Sequence, residues 1–438
     1  MSEYNLSSTA AVPVADKPLA KADKHIWGIY IALVIVSIIE LYSASSREVA
    51  SSSMGVFGPL VRHVAMLGLG FFIIIGLSRV HYRHFYSWSL LFVVGSIIAM
   101  VYCMFFGEII NGARRSFPLL GFSIQPSEML KLSAVLILAV VAHRTQMKGG
   151  GVTNTGVTIM AVMVMAFGGM LIKQGLTNTL LLMSISMAMF LIGGMQWRKI
   201  FIVLGVYAVC LGLFSLIDGR RGVDENEATQ NMTTAQAIDH SESTASGRSG
   251  TWTKRIERYL DPEPKYLKEI NAQNRQEMYS YMAQANGGVF GVFPGNSRET
   301  ARLPLAFSDY IYSIIIEDCG LVGGLVVLVL YLWLMARASG IAARCTRAFP
   351  AFLVLGMAVM IVIQALFHIA IVTGVFPVSG QPLPLISKGG SSILVTSIAF
   401  GVMLSVSRHT ARTGKRDAER AEIESLPEDL RTANPTHL

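Results

Sequence analysis

Charge is scarce in this chain. Charged residues make up only 15% of its 438 residues, whereas a soluble domain carries about 25%. This composition excludes a soluble globular protein. Cysteine is scarce as well, and the four that are present lie in or beside apolar runs without metal-like spacing: Cys103, Cys210, Cys319 and Cys345. A disulfide framework and a zinc site are therefore not expected.

Apolar runs dominate instead, and 52% of the residues are hydrophobic. The runs approach the length of about 20 residues that a helix needs to cross a bilayer. The first run is long and lacks an A-x-A-like cleavage site after it, which predicts a retained helix rather than a signal peptide. We predict an all-α integral membrane protein with about ten spans, near 26–45, 59–79, 86–106, 127–143, 155–173, 177–195, 199–217, 309–336, 349–374 and 390–408.

Basic residues concentrate in alternate short loops, which predicts that both termini are cytoplasmic. The predicted organisation is a tail over 1–25, a membrane domain over 26–408 and a second cytoplasmic tail over 409–438. A large extracytoplasmic loop, 218–308, separates the seventh and eighth spans. Its polar first half predicts a flexible loop, and the later stretch WTKRIERYLDPEPKY predicts a short amphipathic helix ended by Pro262. The net charge of +8 lies mainly at span ends, so a nucleic-acid partner is not expected.

The segment 376–392, FPVSGQPLPLISKGGSS, is rich in residues that break helices and lies between two apolar runs. Lipid cannot satisfy the free backbone groups of such a loop, so it must be buried in protein or line a wet cavity. The segment therefore marks a site. Its end opens the last span, and the helix start over Gly389, Gly390, Ser391 and Ser392 could offer free N–H groups to an anion or could simply cap the helix.

Two further sets of charged residues lie at or within predicted spans. Asp309 stands where the eighth span begins, and a carboxylate there could act as a general base. Alternatively it caps the helix together with Ser308. Glu128 and Lys131, in FSIQPSEMLKL, are three residues apart and share a helix face. Their spacing alone leaves a structural and a functional role equally open.

Three motifs closely resemble the SEDS family of peptidoglycan polymerases, which includes the FtsW and RodA proteins. They are QPSE-x-x-K at 125–131, LPLAFSDYIYSIIIEDCGLVGG from 303, and PLISKGGSS from 384. The resemblance implies that Asp309 is the catalytic aspartate and that Glu317 and Asp318 support it. The glutamate and histidine usual before the aspartate are Leu305 and Phe307 here.

The resemblance also implies a set of substrate-binding residues. Gln125, Ser127, Glu128 and Lys131 would line a central outward-facing cavity, with Lys131 directed at the substrate's pyrophosphate. Arg47, after LYSASS, would bind phosphate or snorkel to the interface. The last-span start would contribute its own five residues: Lys388, Gly389, Gly390, Ser391 and Ser392. Many relatives have tyrosine at the position of Lys388, and His368 replaces a common asparagine.

The implied function is polymerisation of lipid II into glycan strands at the outer face of the bacterial inner membrane. The polar tails favour the FtsW type, which acts in cell division. A RodA-type elongation enzyme and a lipid II flippase remain alternatives, as does a non-catalytic scaffold. The implied partners are a class B penicillin-binding protein, other division proteins and membrane lipids. No cofactor is required by the sequence, although a divalent cation would suit a pyrophosphate leaving group.

Overall fold

The computed structural model describes residues 21–44, 57–110, 113–119, 122–147, 151–172, 174–230, 255–261, 269–271, 274–303 and 306–410. Over these ranges the protein is a bundle of helices with one small sheet. Apolar segments fold as helices because a helix satisfies its backbone N–H and C=O groups within the segment, as hydrocarbon demands. The stretch 231–254, predicted to be a flexible loop, lies outside this part of the chain.

The helices of the described residues are α1 (Lys24–Ala44), α2 (Phe57–Arg79), α3 (Arg83–Phe106), α4 (Pro126–Arg144), α5 (Asn154–Ile172), α6 (Leu176–Ile192), α7 (Trp197–Gln230), α8 (Arg275–Gly287), α9 (Ile311–Ala342), α10 (Ala348–Val372) and α11 (Gly390–Thr410). Nine of these are long and apolar enough to cross a membrane, and α6, with 17 residues, is slightly shorter. The prediction of about ten membrane helices is confirmed.

The bundle has a buried centre and an apolar outer surface. Helices α4 and α10 are buried around most of their circumference, and α11 packs beside them. A helix that is apolar on all sides belongs in such a centre. The outer helices α2, α3 and α7 expose large apolar side chains, among them Phe72, Phe105 and Phe201. In water that surface would be unfavourable, and in a bilayer it faces acyl chains.

A three-stranded antiparallel sheet, which the sequence did not predict, connects α3 to α4. Its strands are β1 (Glu108–Ile110), β2 (Ala113–Leu119) and β3 (Phe122–Ile124), in the order β1-β2-β3. Side chains alternate between the two faces of a strand. Arg114 therefore turns back to the Met104 carbonyl, at 3.3 Å, whereas Arg115 donates through Nε to the Gln174 carbonyl, at 3.1 Å.

Two segments around the large loop differ from the predictions. Helix α7 continues to Gln230, well beyond the span end predicted near 217, so the polar stretch after the span begins as helix rather than loop. The short helix predicted before Pro262 is confirmed at 255–260. Helix α8 occupies the Asn/Gln-rich stretch, for which the sequence indicated no helix.

One end of the bundle is marked by an ion pair between α9 and the start of α1. Arg337 donates through Nε to Asp23 Oδ2 at 2.8 Å, and the Asp23 N–H donates to Ser407 Oγ on α11 at 3.1 Å. Ser405 donates in turn to the Val80 carbonyl, after α2. These contacts place Arg79 at the end of α2, Arg337 on α9 and Arg408 in the last turn of α11 at the same end, which we call the basic end.

Candidate functional site

The breaker-rich loop between α10 and α11, residues 376–390, is held inside the protein by hydrogen bonds to its carbonyl groups. The donors come from three helices, α1, α9 and α10, and from the short helix 255–260. The bonds join Ser37 to Ile386, Arg255 to Val378, Tyr331 to Pro384, Gln364 to Pro382 and His368 to Gln381, and the Gln381 amide reaches Asn178. The sequence predicts that the loop is buried in protein or lines a wet cavity. Residues 381–387 are mostly buried and 376–380 are partly exposed, with carbonyl groups of both parts bonded to protein.

The loop also binds the turn before α9 that carries Asp309. Ser387 donates through Oγ to the Ser308 carbonyl at 2.6 Å, and the Lys388 N–H donates to the Phe307 carbonyl at 2.9 Å. Two segments that are far apart in sequence therefore form one unit. The loop and the turn fix Asp309 at the end of the bundle opposite the basic end.

Asp309 lies directly against the loop. A methyl group built on Gly380 would lie 2.6 Å from Asp309 Oδ2, so only glycine leaves room for the carboxylate. Ser308 donates through Oγ to Asp309 Oδ1 at 2.9 Å. The cap position of α9 is Tyr310, which makes no capping bond through its side chain. The helix-cap alternative for Asp309 therefore finds no support in the geometry.

Asp309 shares its surroundings with two arginines, Arg115 from β2 and Arg255 from the short helix 255–260. Burial raises the pKa of Asp309, while the Ser308 hydrogen bond and the charges of Arg115 and Arg255 oppose that rise. Burial in turn lowers the pKa of both arginines, and the positive charge of Arg255 acts on Arg115 in the same direction. The arrangement places one carboxylate, with raised proton affinity, beside two cations.

Nothing in the sequence marks Arg255 as a site residue. It lies in a segment where only a short amphipathic helix was predicted, and its bond to the Val378 carbonyl spans 123 residues of sequence. No local pattern could reveal that contact. Arg115 follows Arg114 directly in the sequence, and only the strand β2 separates their side chains.

The predicted pair of Glu128 and Lys131 is formed, and it is deeply enclosed. The Lys131 Nζ lies 2.7 Å from Glu128 Oε1 and 3.2 Å from Gln364 Oε1. Lys131 has 0% and Glu128 3% of its surface exposed. Gln364 was missed in the sequence, although an amide within the apolar run of α10 is itself a signal. The proposed contact of Lys131 with pyrophosphate stays a prediction, because its ammonium is occupied by protein groups.

The other predicted binding residues lie around the two helix starts. Gln125 precedes α4 and Ser127 is buried in its first turn. A methyl group on Gly390 would contact Met66 and the Ser123 carbonyl, so the start of α11 lies under α2 and β3. Ser391 and Ser392 are buried there as well. Arg47 lies outside the described residues.

Glu317 and Asp318 lie in α9, where their surroundings differ. The Glu317 carboxylate accepts hydrogen bonds from the backbone N–H groups of Arg298 and Glu299 and from the Asn286 amide. Glu317 thereby holds Arg298 and Glu299, which precede Asp309 in the chain, against α9. Asp318 is fully buried on the side of α1. Among the described residues, no three His, Cys, Asp or Glu side chains gather as metal ligands.

A sequence model of the family described as "Cell cycle protein" and labelled by its members FtsW, RodA and SpoVE matches residues 23–412. The chain belongs to the FtsW/RodA/SpoVE family. The resemblance to the SEDS motifs is thereby confirmed.

Several curated members of the FtsW/RodA/SpoVE family resemble this chain along most of their length. A probable peptidoglycan glycosyltransferase FtsW of Trichlorobacter lovleyi is 28% identical, over 89% of this chain and 94% of its own. The peptidoglycan glycosyltransferase MrdB of Escherichia coli is 25% identical, over 88% and 94%. The stage V sporulation protein E of Bacillus subtilis is 27% identical, over 87% and 96%.

Solved structures share the fold. One of them is described as "Structural coordination of polymerization and crosslinking by a peptidoglycan synthase complex". A chain of that structure superposes on this one with a TM-score of 0.64 at 22% identity, covering 89% of this chain and 98% of that one. The rod shape determining protein RodA of Thermus thermophilus gives a TM-score of 0.59 at 20% identity, covering 88% and 97%. The all-α membrane fold is confirmed.

Phe307 and Lys388, two residues at which this chain departs from the SEDS motifs it resembles, contact each other. The Lys388 Nζ lies 4.7 Å from the centre of the Phe307 ring, within the range of a cation–π contact. The contact joins the Asp309 turn to the loop.

Proposed function

We propose that this protein is a peptidoglycan glycosyltransferase that polymerises lipid II, with Asp309 as its general base. Family relatives over nearly the whole chain carry the name peptidoglycan glycosyltransferase. The observation that carries the residue assignment is the placement of the Asp309 carboxylate against Gly380, with Arg115 and Arg255 beside it. A base and two cations meet there at one end of a membrane bundle.

In the proposed reaction, the 4-hydroxyl of the acceptor's N-acetylglucosamine attacks the anomeric carbon of the donor's N-acetylmuramic acid. The new bond forms between that oxygen and the anomeric carbon, and the carbon–oxygen bond to pyrophosphate breaks. The hydroxyl proton passes to the Asp309 carboxylate. A raised pKa brings the proton affinity of Asp309 closer to operating pH, which favours this transfer.

The pyrophosphate leaves with the bonding electron pair and needs cations rather than an acid. Arg115 and Arg255 are suitable because a guanidinium holds its charge and can bind two phosphate oxygens. The free N–H groups at the start of α11 are a second anion-binding element, beside Lys388. Lys131 and Glu128 lie deeper and position α4 against α10. Since no ligand set for a metal ion gathers in the described residues, no step is assigned to one.

The proposed orientation puts the basic end in the cytoplasm and Asp309 at the outer face of the inner membrane. It follows from the excess of Lys and Arg at the basic end. The loop 218–308 would then be periplasmic and both tails cytoplasmic.

A labelling experiment tests this orientation. In a variant without the native cysteines, Ser379→Cys should react with a membrane-impermeant maleimide in intact spheroplasts. Ser339→Cys should react only after permeabilisation, and the reverse pattern would refute the orientation.

We assign the protein to septal synthesis, with a class B penicillin-binding protein as its transpeptidase partner and lipid II as substrate. The polar N-terminal and charged C-terminal tails support the septal assignment. The fold shared with a chain from a peptidoglycan synthase complex that coordinates polymerization with crosslinking supports the partner. A fluorescent fusion that follows the side wall instead of the division site would favour the elongation role.

The test of the central assignment is Asp309→Asn, which keeps the size and polarity of the side chain but cannot accept the proton. The purified variant, with its partner, should form no glycan ladder from labelled lipid II on a gel. Asp23→Asn, at the basic end, is the matched control and should retain polymerisation. Ladders of normal intensity from Asp309→Asn would refute the general base. Activity in detergent, without a second compartment, also separates a polymerase from a flippase.

A further inference from the structure

The glycine-rich segment 287–293, GGVFGVF, repairs a break in α9. Gly320 has a φ of 70°, which interrupts the helix and frees backbone groups on either side. The segment satisfies these groups through backbone hydrogen bonds in both directions. The N–H groups of Val292 and Phe293 donate to the carbonyls of Glu317 and Asp318 on α9. The N–H groups of Leu321 and Val322 on α9 donate to the carbonyls of Gly288 and Val289. The segment and the break therefore form one structure.

The side chains of this segment point away from the protein. Val289 is 56%, Phe290 78% and Phe293 71% exposed. Next to them on α9, Leu321 and Val322 begin the row of exposed apolar side chains that continues down the helix. The two sets are joined by the backbone bonds just described, so they form one continuous apolar surface.

The depth of this surface can be estimated from α9 itself. At about 1.5 Å per residue, Leu321 lies about 24 Å along the helix from Arg337, whose ion pair with Asp23 marks the basic end. The hydrocarbon core of a bilayer is about 30 Å thick. With Arg337 at the inner boundary of the hydrocarbon layer, Leu321 is still inside that layer, and any tilt of α9 places it deeper. Val289, bonded to Val322, lies at the same level.

Helix α8 reaches this depth by packing closely on α9. Its buried positions are the small residues Ser280, Ala283 and Gly287. A methyl group on Gly287 would lie 1.9 Å from the Ile316 carbonyl oxygen, which shows how near the two backbones come. Small residues at such spacing are typical of helix contacts within membranes.

We propose that α8 and the segment 287–293 form a re-entrant element that dips into the leaflet on the Asp309 side, with Val289, Phe290 and Phe293 among lipid acyl chains. Non-helical backbone is tolerated at membrane depth only where protein satisfies it, as the break in α9 does here. Lipid is the expected occupant because the surface continues the lipid-facing row of α9. The proposal holds whichever reaction the protein catalyses.

Site-directed spin labelling of the full chain in lipid nanodiscs tests this. In a background without the four native cysteines, labels are placed at Phe290→Cys, Leu325→Cys and Asn296→Cys. Leu325 is an exposed residue of the α9 row and serves as the lipid control, and Asn296 is an exposed polar residue of the following turn and serves as the aqueous control. The collision rates of each label with oxygen and with a water-soluble nickel chelate are compared.

The label at position 290 should match Leu325, with a ratio of oxygen to nickel collisions several-fold higher than at Asn296. A ratio equal to that at Asn296 would overturn the proposal. Low collision rates with both reagents would also overturn it, since they would mean that protein covers the site. If the Phe290 variant is not monodisperse, Val289→Cys provides the same measurement.

Discussion

Replacing Lys131 by alanine should destabilise the protein strongly, because it leaves the Glu128 carboxylate buried without its cation. The two charged atoms are 2.7 Å apart and both side chains are almost fully enclosed. With an effective dielectric constant of about 20, their attraction is about 6 kcal/mol. Desolvation offsets part of this, and removing one member of such a pair typically costs about 3–5 kcal/mol. We expect the midpoint of thermal unfolding to fall by about 5–10 °C.

The measurement is size-exclusion chromatography with fluorescence detection after heating in detergent. Arg302→Ala is the matched control, since Arg302 and Glu299 have the same i,i+3 spacing but Arg302 is 60% exposed and the pair is 3.5 Å apart. Loss of the Arg302–Glu299 ion pair should lower the free energy of unfolding by about 1 kcal/mol or less. A Lys131→Ala protein as heat-resistant as the wild type would refute the view that this pair is an enclosed, mutually dependent unit.

A double variant separates the structural role of the pair from a chemical one. Glu128→Gln with Lys131→Met leaves no buried charge, so most of the lost stability should return. We expect this variant to be stable and to polymerise lipid II at least about tenfold more slowly, because the hydrogen bond from Lys131 to Gln364 positions α4 against the loop through α10. A stable double variant with wild-type activity would show that the pair only holds the fold together.

Two further predictions concern the surroundings of Asp309. Burial raises the pKa of Asp309 and the Arg255 charge opposes the rise, so Arg255→Gln should raise it further. Because the base must be deprotonated, activity is present above this pKa. The acid limb of the kcat/KM profile should therefore move to higher pH in the variant. An acid limb that does not move would contradict the electrostatic coupling between Arg255 and Asp309. Gly380→Ala places a methyl group 2.6 Å from Asp309 Oδ2 and should reduce kcat by about 100-fold. Gly340→Ala, where no atom lies within 4 Å of the added methyl, is its control, and equal activity of the two variants would refute the close approach.

The membrane helices and the principal motifs could be predicted from the sequence because their signals are local. Apolar runs define spans, and the prolines and glycines of 376–390 define a loop that must be enclosed. The partners of that loop could not be predicted. Gln364 meets Lys131 across 233 residues of sequence, and Arg255 meets Val378 across 123. Such contacts depend on how the helices pack, which no local pattern records.

The interruption of α9 was missed for a different reason. A glycine within an apolar run is common in membrane helices, so Gly320 alone does not indicate a break. The break is favourable only because a second segment, 287–293, supplies hydrogen bonds to it. Strands β1 and β3 were missed because three-residue strands carry too little alternation to detect.

The anchoring of the loop 376–390 has a consequence for the order in which activity arises during synthesis. Its carbonyl groups bind donors from α1, α9 and α10, and its own backbone reaches the turn before α9. A nascent chain that has inserted Asp309 and α9 but has not yet made α10 and the loop has the carboxylate without the segment that packs against it. With Asp309 as the proposed base, biosynthesis would therefore yield an inert intermediate until α10 and the loop have folded against the turn before α9.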